Sequence, residues 1–145
     1  MRPLVKKALD LGVTVAIEPV FVTTIYSPRI MRQMLDDINS PKLGVLLDVS
    51  NLTYPETRNF QCDTINDAFD LFGDKIKAIH LKDFTFDENN VKHFAIAGSG
   101  ELMTELIFDR IEALSDKPEI ILDETKVTDY EKSLNTLEEV FNEMD

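Results

Sequence analysis

Ile76-Lys77-Ala78-Ile79-His80-Leu81-Lys82 is a short apolar run that closes on an imidazole. The same figure occurs three more times. Val13-Thr14-Val15-Ala16-Ile17 closes on Glu18, Val45-Leu46-Leu47 on Asp48, and Ile120-Ile121-Leu122-Asp123 on Glu124. These polar residues follow one another at intervals of roughly 30–45 residues, about what a strand, a helix and two loops consume. Four such units place four polar side chains at the same end of four strands, and in parallel sheets that end carries the site.

Helical patterns fill the gaps. Arg2 to Leu11 reads as a helix with Leu4, Val5 and Ala8 apolar and Gly12 as its stop. Ser27 caps and Pro28 opens a second, with Ile30, Met31, Met34, Leu35 and Ile38 on one face, ending near Asn39-Ser40-Pro41. A third runs from about Asp63 to Phe72 and stops at Gly73, and a fourth from about Glu101 to Leu114. Thr128 with Glu131 reads as a capping box for the last, Asp129 to Met144. The strands are Val13 to Pro19, Leu43 to Asp48, Ile76 to Leu81 and Glu119 to Glu124. Lys82 to Gly100 is a longer connection than usual, and such loops are often functional. The alternation α-β-α-β-α-β-α-β-α predicts an α/β fold with a parallel sheet and right-handed crossovers, in one domain over residues 1–145.

Alternate residues on a strand face opposite ways. Glu18 is in phase with Ala16 and Thr14, Asp48 with Leu46 and Gly44, His80 with Ala78 and Ile76, and Glu124 with Leu122 and Ile120. The other face carries Val13, Val15, Ile17, Val45, Leu47, Ile79 and Ile121, which suits packing under helices. The polar residues therefore point to the side with smaller neighbours, as the inner surface of a curved sheet requires.

The balance of 27 acidic against 15 basic residues gives a net charge of -12, which argues against nucleic acid or an anionic membrane surface as partner. No apolar run approaches the ~20 residues of a membrane span. One cysteine, Cys62, excludes an internal disulfide and fits a reducing, cytoplasmic setting.

Three carboxylates and an imidazole at one mouth suit Mn²⁺, Mg²⁺, Co²⁺ or Zn²⁺. Without a cation the carboxylates would repel one another and raise each other's pKa. A divalent ion removes that penalty and can polarise a substrate carbonyl or hydroxyl, so that a carboxylate at the same mouth moves the proton of the adjacent carbon.

Val15-Ala16-Ile17-Glu18-Pro19, Leu46-Leu47-Asp48-Val49-Ser50-Asn51-Leu52, Ile79-His80-Leu81-Lys82-Asp83, Ala97-Gly98-Ser99-Gly100-Glu101-Leu102 and Ile121-Leu122-Asp123-Glu124 occur in that order. Together they resemble the strand-end motifs of the sugar phosphate isomerase/epimerase family, the xylose isomerase-like TIM barrels. The resemblance implies that Glu18, Asp48, His80 and Glu124 are metal ligands. It also implies that Glu18 and Glu124 move the proton on either face of an enediolate, with a small sugar or sugar phosphate as substrate. Lys82 and Asn51 are the expected substrate contacts. Ketose epimerases of the family carry a histidine where this chain has Asn51, and an arginine in the stretch that reads Asp83-Phe84-Thr85-Phe86 here. Hydroxypyruvate isomerase, inosose dehydratase and other relatives stay open.

A whole (β/α)₈ barrel takes about 250 residues. This chain has four strands, matching the family's last four, and so reads as a (β/α)₄ half-barrel that lacks the first four. Its outer strands would be open edges, which predicts a homodimer covering the open face. The rival readings are a catalytically silent, dimerising remnant and a small open α/β binding domain. The latter would need a glycine-rich loop after the first strand, where Glu18-Pro19-Val20-Phe21 stands instead.

Overall fold

The computed structural model describes residues 1–144. Its elements are α1 (Arg2–Leu11), β1 (Val15–Ile17), α2 (Pro28–Ile38), β2 (Leu43–Leu47), α3 (Gln61–Phe72), β3 (Ile76–Leu81), β4 (Phe84–Phe86), β5 (Lys92–Phe94), α4 (Thr104–Glu112), β6 (Glu119–Leu122) and α5 (Tyr130–Met144). β1, β2, β3 and β6 form one sheet in that order, every neighbouring pair parallel. This is the expected α/β half-barrel, with a helix between successive strands of the sheet.

The local signals that start and stop the helices work as the sequence suggests. Gly12 closes α1 at φ 72, its N–H reaching the carbonyls of Ala8 and Leu9. The Ser27 hydroxyl accepts from the Ile30 N–H at the head of α2, and Asn39 ends it at φ 45. Of the apolar residues expected on α1, Val5 and Ala8 are buried, while Leu4 faces solvent. No helix among the described residues is long and apolar enough to cross a membrane.

Other bounds differ for physical reasons. α4 begins at Thr104 rather than Glu101; the N–H of Glu101 goes to the Phe84 carbonyl and that of Leu102 to the Asp83 carboxylate. Thr128 sits inside a 3₁₀ turn, Val127–Asp129, and its hydroxyl approaches the Asp129 side chain, so the capping box with Glu131 does not form. The stretch after Lys82 is not all loop: β4 and β5 pair as an antiparallel hairpin.

The largest correction concerns β6. In the ladder His80 lies beside Ile121 and Leu81 beside Leu122. Paired residues of a pleated sheet point to the same face, so Ile121 and Asp123 are in phase with His80, and Ile120 and Leu122 with Leu81. Ile120 and Leu122 accordingly line an apolar hollow with Leu81, Phe108, Leu134 and Leu137 on the helix side. The run Ile120-Ile121-Leu122 has no alternation from which its phase could be read.

The helix side of the sheet is the core. Leu43, Val45, Leu47, Ile79 and Leu81 are buried there with Met31 and Leu35 of α2, Ile65, Phe69 and Phe72 of α3, and Ile107 and Phe108 of α4. Each such side chain contributes about 1.5–3 kcal/mol by leaving water. The inner face is sparser, with Ala16, Gly44, Leu46 and Ala78 leading up to the polar strand ends, and Ile121 is 43% exposed. Phe72 has no exposed surface, so Phe72→Ala should cost roughly 3–5 kcal/mol, read as a lowered urea midpoint at unchanged slope.

Candidate metal centre

Three of the expected side chains converge. Glu18 follows β1, Asp48 follows β2 and His80 belongs to β3, and each offers a donor atom within 4.8 Å of the others. His80 Nδ1 is 3.9 Å from Glu18 Oε1 and 3.8 Å from Asp48 Oδ2. Asp48 has no exposed surface. Its Oδ2 and the His80 Nδ1 are both buried without a hydrogen-bond partner. A buried polar atom left unpaired costs about 1–3 kcal/mol, and here two face each other across a gap one cation could fill. Metal–oxygen and metal–nitrogen bonds of roughly 2.0–2.2 Å to such ligands bring this donor set within reach of a single ion.

Glu124 is not brought into this group. β6 ends at Leu122, and Glu124 adopts a left-handed backbone, φ 53. It borders a surface cavity of about 400 Å³ with Thr85, Phe94, Ile96 and Ser99. The residue before it comes nearer, with Asp123 Oδ2 3.6 Å from His80 Nδ1. The phase of β6 is the reason, and only the signal that Asp123 is itself a carboxylate two residues beyond Ile121 could have revealed it.

Asn51 and Lys82, expected as substrate contacts, are committed to the carboxylates. The Asn51 backbone N–H donates to Asp48 Oδ1 at 3.1 Å, and its amide Nδ2 to Glu18 Oε1 at 2.7 Å. Lys82 Nζ lies 3.3 Å from Asp48 Oδ2 and 3.3 Å from Asp123 Oδ2. The contact to Asp48 Oδ2 is a buried ion pair. Burial pushes the Asp48 carboxyl above its ordinary pKa, against the pull of Lys82 and Asn51. Burial would lower the Lys82 ammonium, but Asp48 and then Asp123 outweigh it and hold the pKa up.

Two supports went unread in the sequence. The buried Asp83 carboxylate gathers four backbone N–H groups: Phe84 (2.7 Å) and Leu102 (3.0 Å) on Oδ1, Gly98 (3.0 Å) and Gly100 (2.8 Å) on Oδ2. A Cβ at Gly100 would run into that carboxylate and the Phe84 carbonyl. Lys92 of β5 donates to the Ser50 carbonyl at 2.6 Å and to that of Thr53, with its ammonium 4.4 Å from the centre of the Phe84 ring. Burial brings its pKa down to about 8. Together these residues hold the hairpin and the glycine turn against the loop that carries Asn51.

Comparison with known proteins places this geometry. The family model described as xylose isomerase-like TIM barrel matches residues 1–140. No curated protein matches the chain. Among solved structures, a xylose isomerase domain protein from Planctomyces limnophilus superposes with a TM-score of 0.72 at 19% identity, covering 96% of this chain and 49% of that one. A D-tagatose 3-epimerase-like protein gives 0.72 at 17%, covering 97% and 51%. A xylose isomerase-like TIM barrel protein from Mycobacterium smegmatis, in complex with magnesium, gives 0.70 at 14%, covering 97% and 47%. The chain thus spans about half the length of the structures it resembles. From the Asp83 cradle, Gly100→Ala should destabilise the protein by about 1–3 kcal/mol, read as a lower melting temperature, whereas Gly12→Ala, with open space around its Cβ, should cost only the strain of its positive φ, about 1 kcal/mol.

Proposed function

The chain belongs to the xylose isomerase-like TIM barrel family, and on that premise we propose that it is the metal-binding half of a sugar isomerase or epimerase. The carrying observation is the convergence of Glu18, Asp48 and His80 within 4.8 Å of one another, with the buried His80 Nδ1 left without a hydrogen-bond partner. In this proposal Glu18, Asp48 and His80 hold a divalent ion and Asp123 supplies the fourth side chain. The ion would supply polarisation of a sugar carbonyl or hydroxyl, acidifying the neighbouring C–H. This chain's own residues then handle the proton. Glu18 is oriented by the Asn51 amide and partly open to solvent, which suits a base that takes the C–H proton from one face of the sugar and leaves an enediolate to be reprotonated. Asp123 approaches the same His80 Nδ1 from the neighbouring strand end and is the candidate to return the proton.

The substrate proposed is a small keto or aldo sugar or its phosphate, in keeping with the D-tagatose 3-epimerase-like protein among the structural neighbours. The rival reading, a half that binds metal and is silent, shares every residue named so far and differs only in turnover.

Four outcomes check this. Manganese should bind the wild type and be lost in Asp48→Ala by at least about a hundredfold, as expected for a side chain shared by the ion and its neighbours. Asp123→Ala should weaken binding more than Glu124→Ala; the reverse order would reinstate Glu124 as the fourth ligand. Manganese-loaded protein should exchange a sugar C–H for solvent deuterium, followed by NMR, and Glu18→Gln should abolish the exchange. Binding without exchange in the wild type would select the silent half. Finally, β1 and β6 are both open edges of the sheet, and we propose that a second copy covers them; light scattering should give twice the mass of one chain, and a monomer would rule this out.

A further inference from the structure

Lys82 stands out because it is a lysine with only 8% of its surface exposed, in phase with His80 on the inner face of the sheet. Its ammonium is equidistant, at 3.3 Å, from the Asp48 and Asp123 Oδ2 atoms. Those are two of the three carboxylate oxygens that approach His80 Nδ1, at 3.8 and 3.6 Å. We infer that Lys82 is the internal counter-cation of these carboxylates, and that a divalent ion must push its ammonium aside in order to bind. This rests on the metal reading above.

An ion held between Asp48 Oδ2 and His80 Nδ1 would share a carboxylate oxygen with the ammonium, and two cations on one oxygen at low dielectric repel strongly. Removing the ammonium with nothing in its place leaves a fully buried carboxylate uncompensated, which is costly. The ammonium therefore stabilises the metal-free protein and weakens metal binding by the same interaction. The ammonium already lies 5.4 Å from the centre of the Phe94 ring, whose face can hold a cation more closely once the carboxylates are taken. Phe94 borders a cavity of about 360 Å³ together with Asn51, Tyr54 and Phe86. Metal binding would thus send the ammonium toward the place where a hydroxyl-rich or anionic substrate can meet it, so that the ion loads first and the substrate second.

The test compares wild type, Lys82→Met and Lys82→Arg after chelation, by calorimetric titration with Mn²⁺ alone and by thermal unfolding. Lys82→Met should bind Mn²⁺ roughly tenfold or more tightly than wild type, should melt earlier without the ion, and should gain more in melting temperature when it is added. Lys82→Arg, which keeps the charge, should stay close to wild type in affinity. If the wild type binds and Lys82→Met binds no more tightly, the inference is overturned. If neither binds, the metal reading fails by itself, and the metal-free melting temperatures decide for Lys82: a lower value in Lys82→Met supports the counter-cation, an equal one overturns it. Should Lys82→Met be unfolded without metal, recovery of its circular dichroism on adding Mn²⁺ supports the inference, and no recovery overturns it.

Discussion

Everything at the strand ends answers to one constraint, a carboxylate with no exposed surface at Asp48. A charge in that position is tolerable only if neighbours replace the water it has lost. One oxygen receives the Asn51 backbone N–H, and the other faces Lys82 and His80 without a hydrogen bond. The helix-side core fixes where this happens. Leu47 on one side of Asp48 and Val49 on the other are both buried, so the chain cannot tilt the carboxylate out to solvent without lifting apolar side chains out of the core. Packing sets the position of the charge, and the charge then dictates what surrounds it.

The hairpin and the glycine turn are part of the same arrangement. Asp83 follows Lys82 directly, and its four backbone partners tie the turn at Gly98 and Gly100 to the end of β3. Glu101, emerging from that turn, accepts from the Phe86 N–H and pairs with Arg58. Lys92 reaches from the hairpin back to the loop after β2. The segment that looked like a long loop is therefore held at both ends by buried or half-buried charges.

How much of this was visible in the sequence depends on which force set each feature. The strands, their parallel order and the meeting of Glu18, Asp48 and His80 follow from hydrophobic patterning that ends on a polar residue, and patterning is local. The phase of β6 is set by its ladder with β3, and a run of three apolar residues carries no trace of it, so Asp123 rather than Glu124 lies in phase with His80. Phe84–Phe86 and Lys92–Phe94 are three residues each, too short for alternation to stand out. The Asp83 cradle joins atoms far apart in sequence, and its only local mark is a pair of glycines.

The open edges of the sheet have a directional consequence. β1 and β6 run the same way, so the rotation that relates two copies fixes the geography of their sites. A twofold axis along the strands would lay β6 of one copy beside β1 of the other in parallel, close a ring, and crowd both acidic clusters onto a single rim. A twofold axis perpendicular to the sheet would instead pair β6 with its own counterpart antiparallel, send the clusters to opposite rims, and leave the β1 edges free to recruit further chains. In the proposed pair of copies, the symmetry of assembly, more than any single side chain, would decide whether two such sites share one solvent-filled mouth.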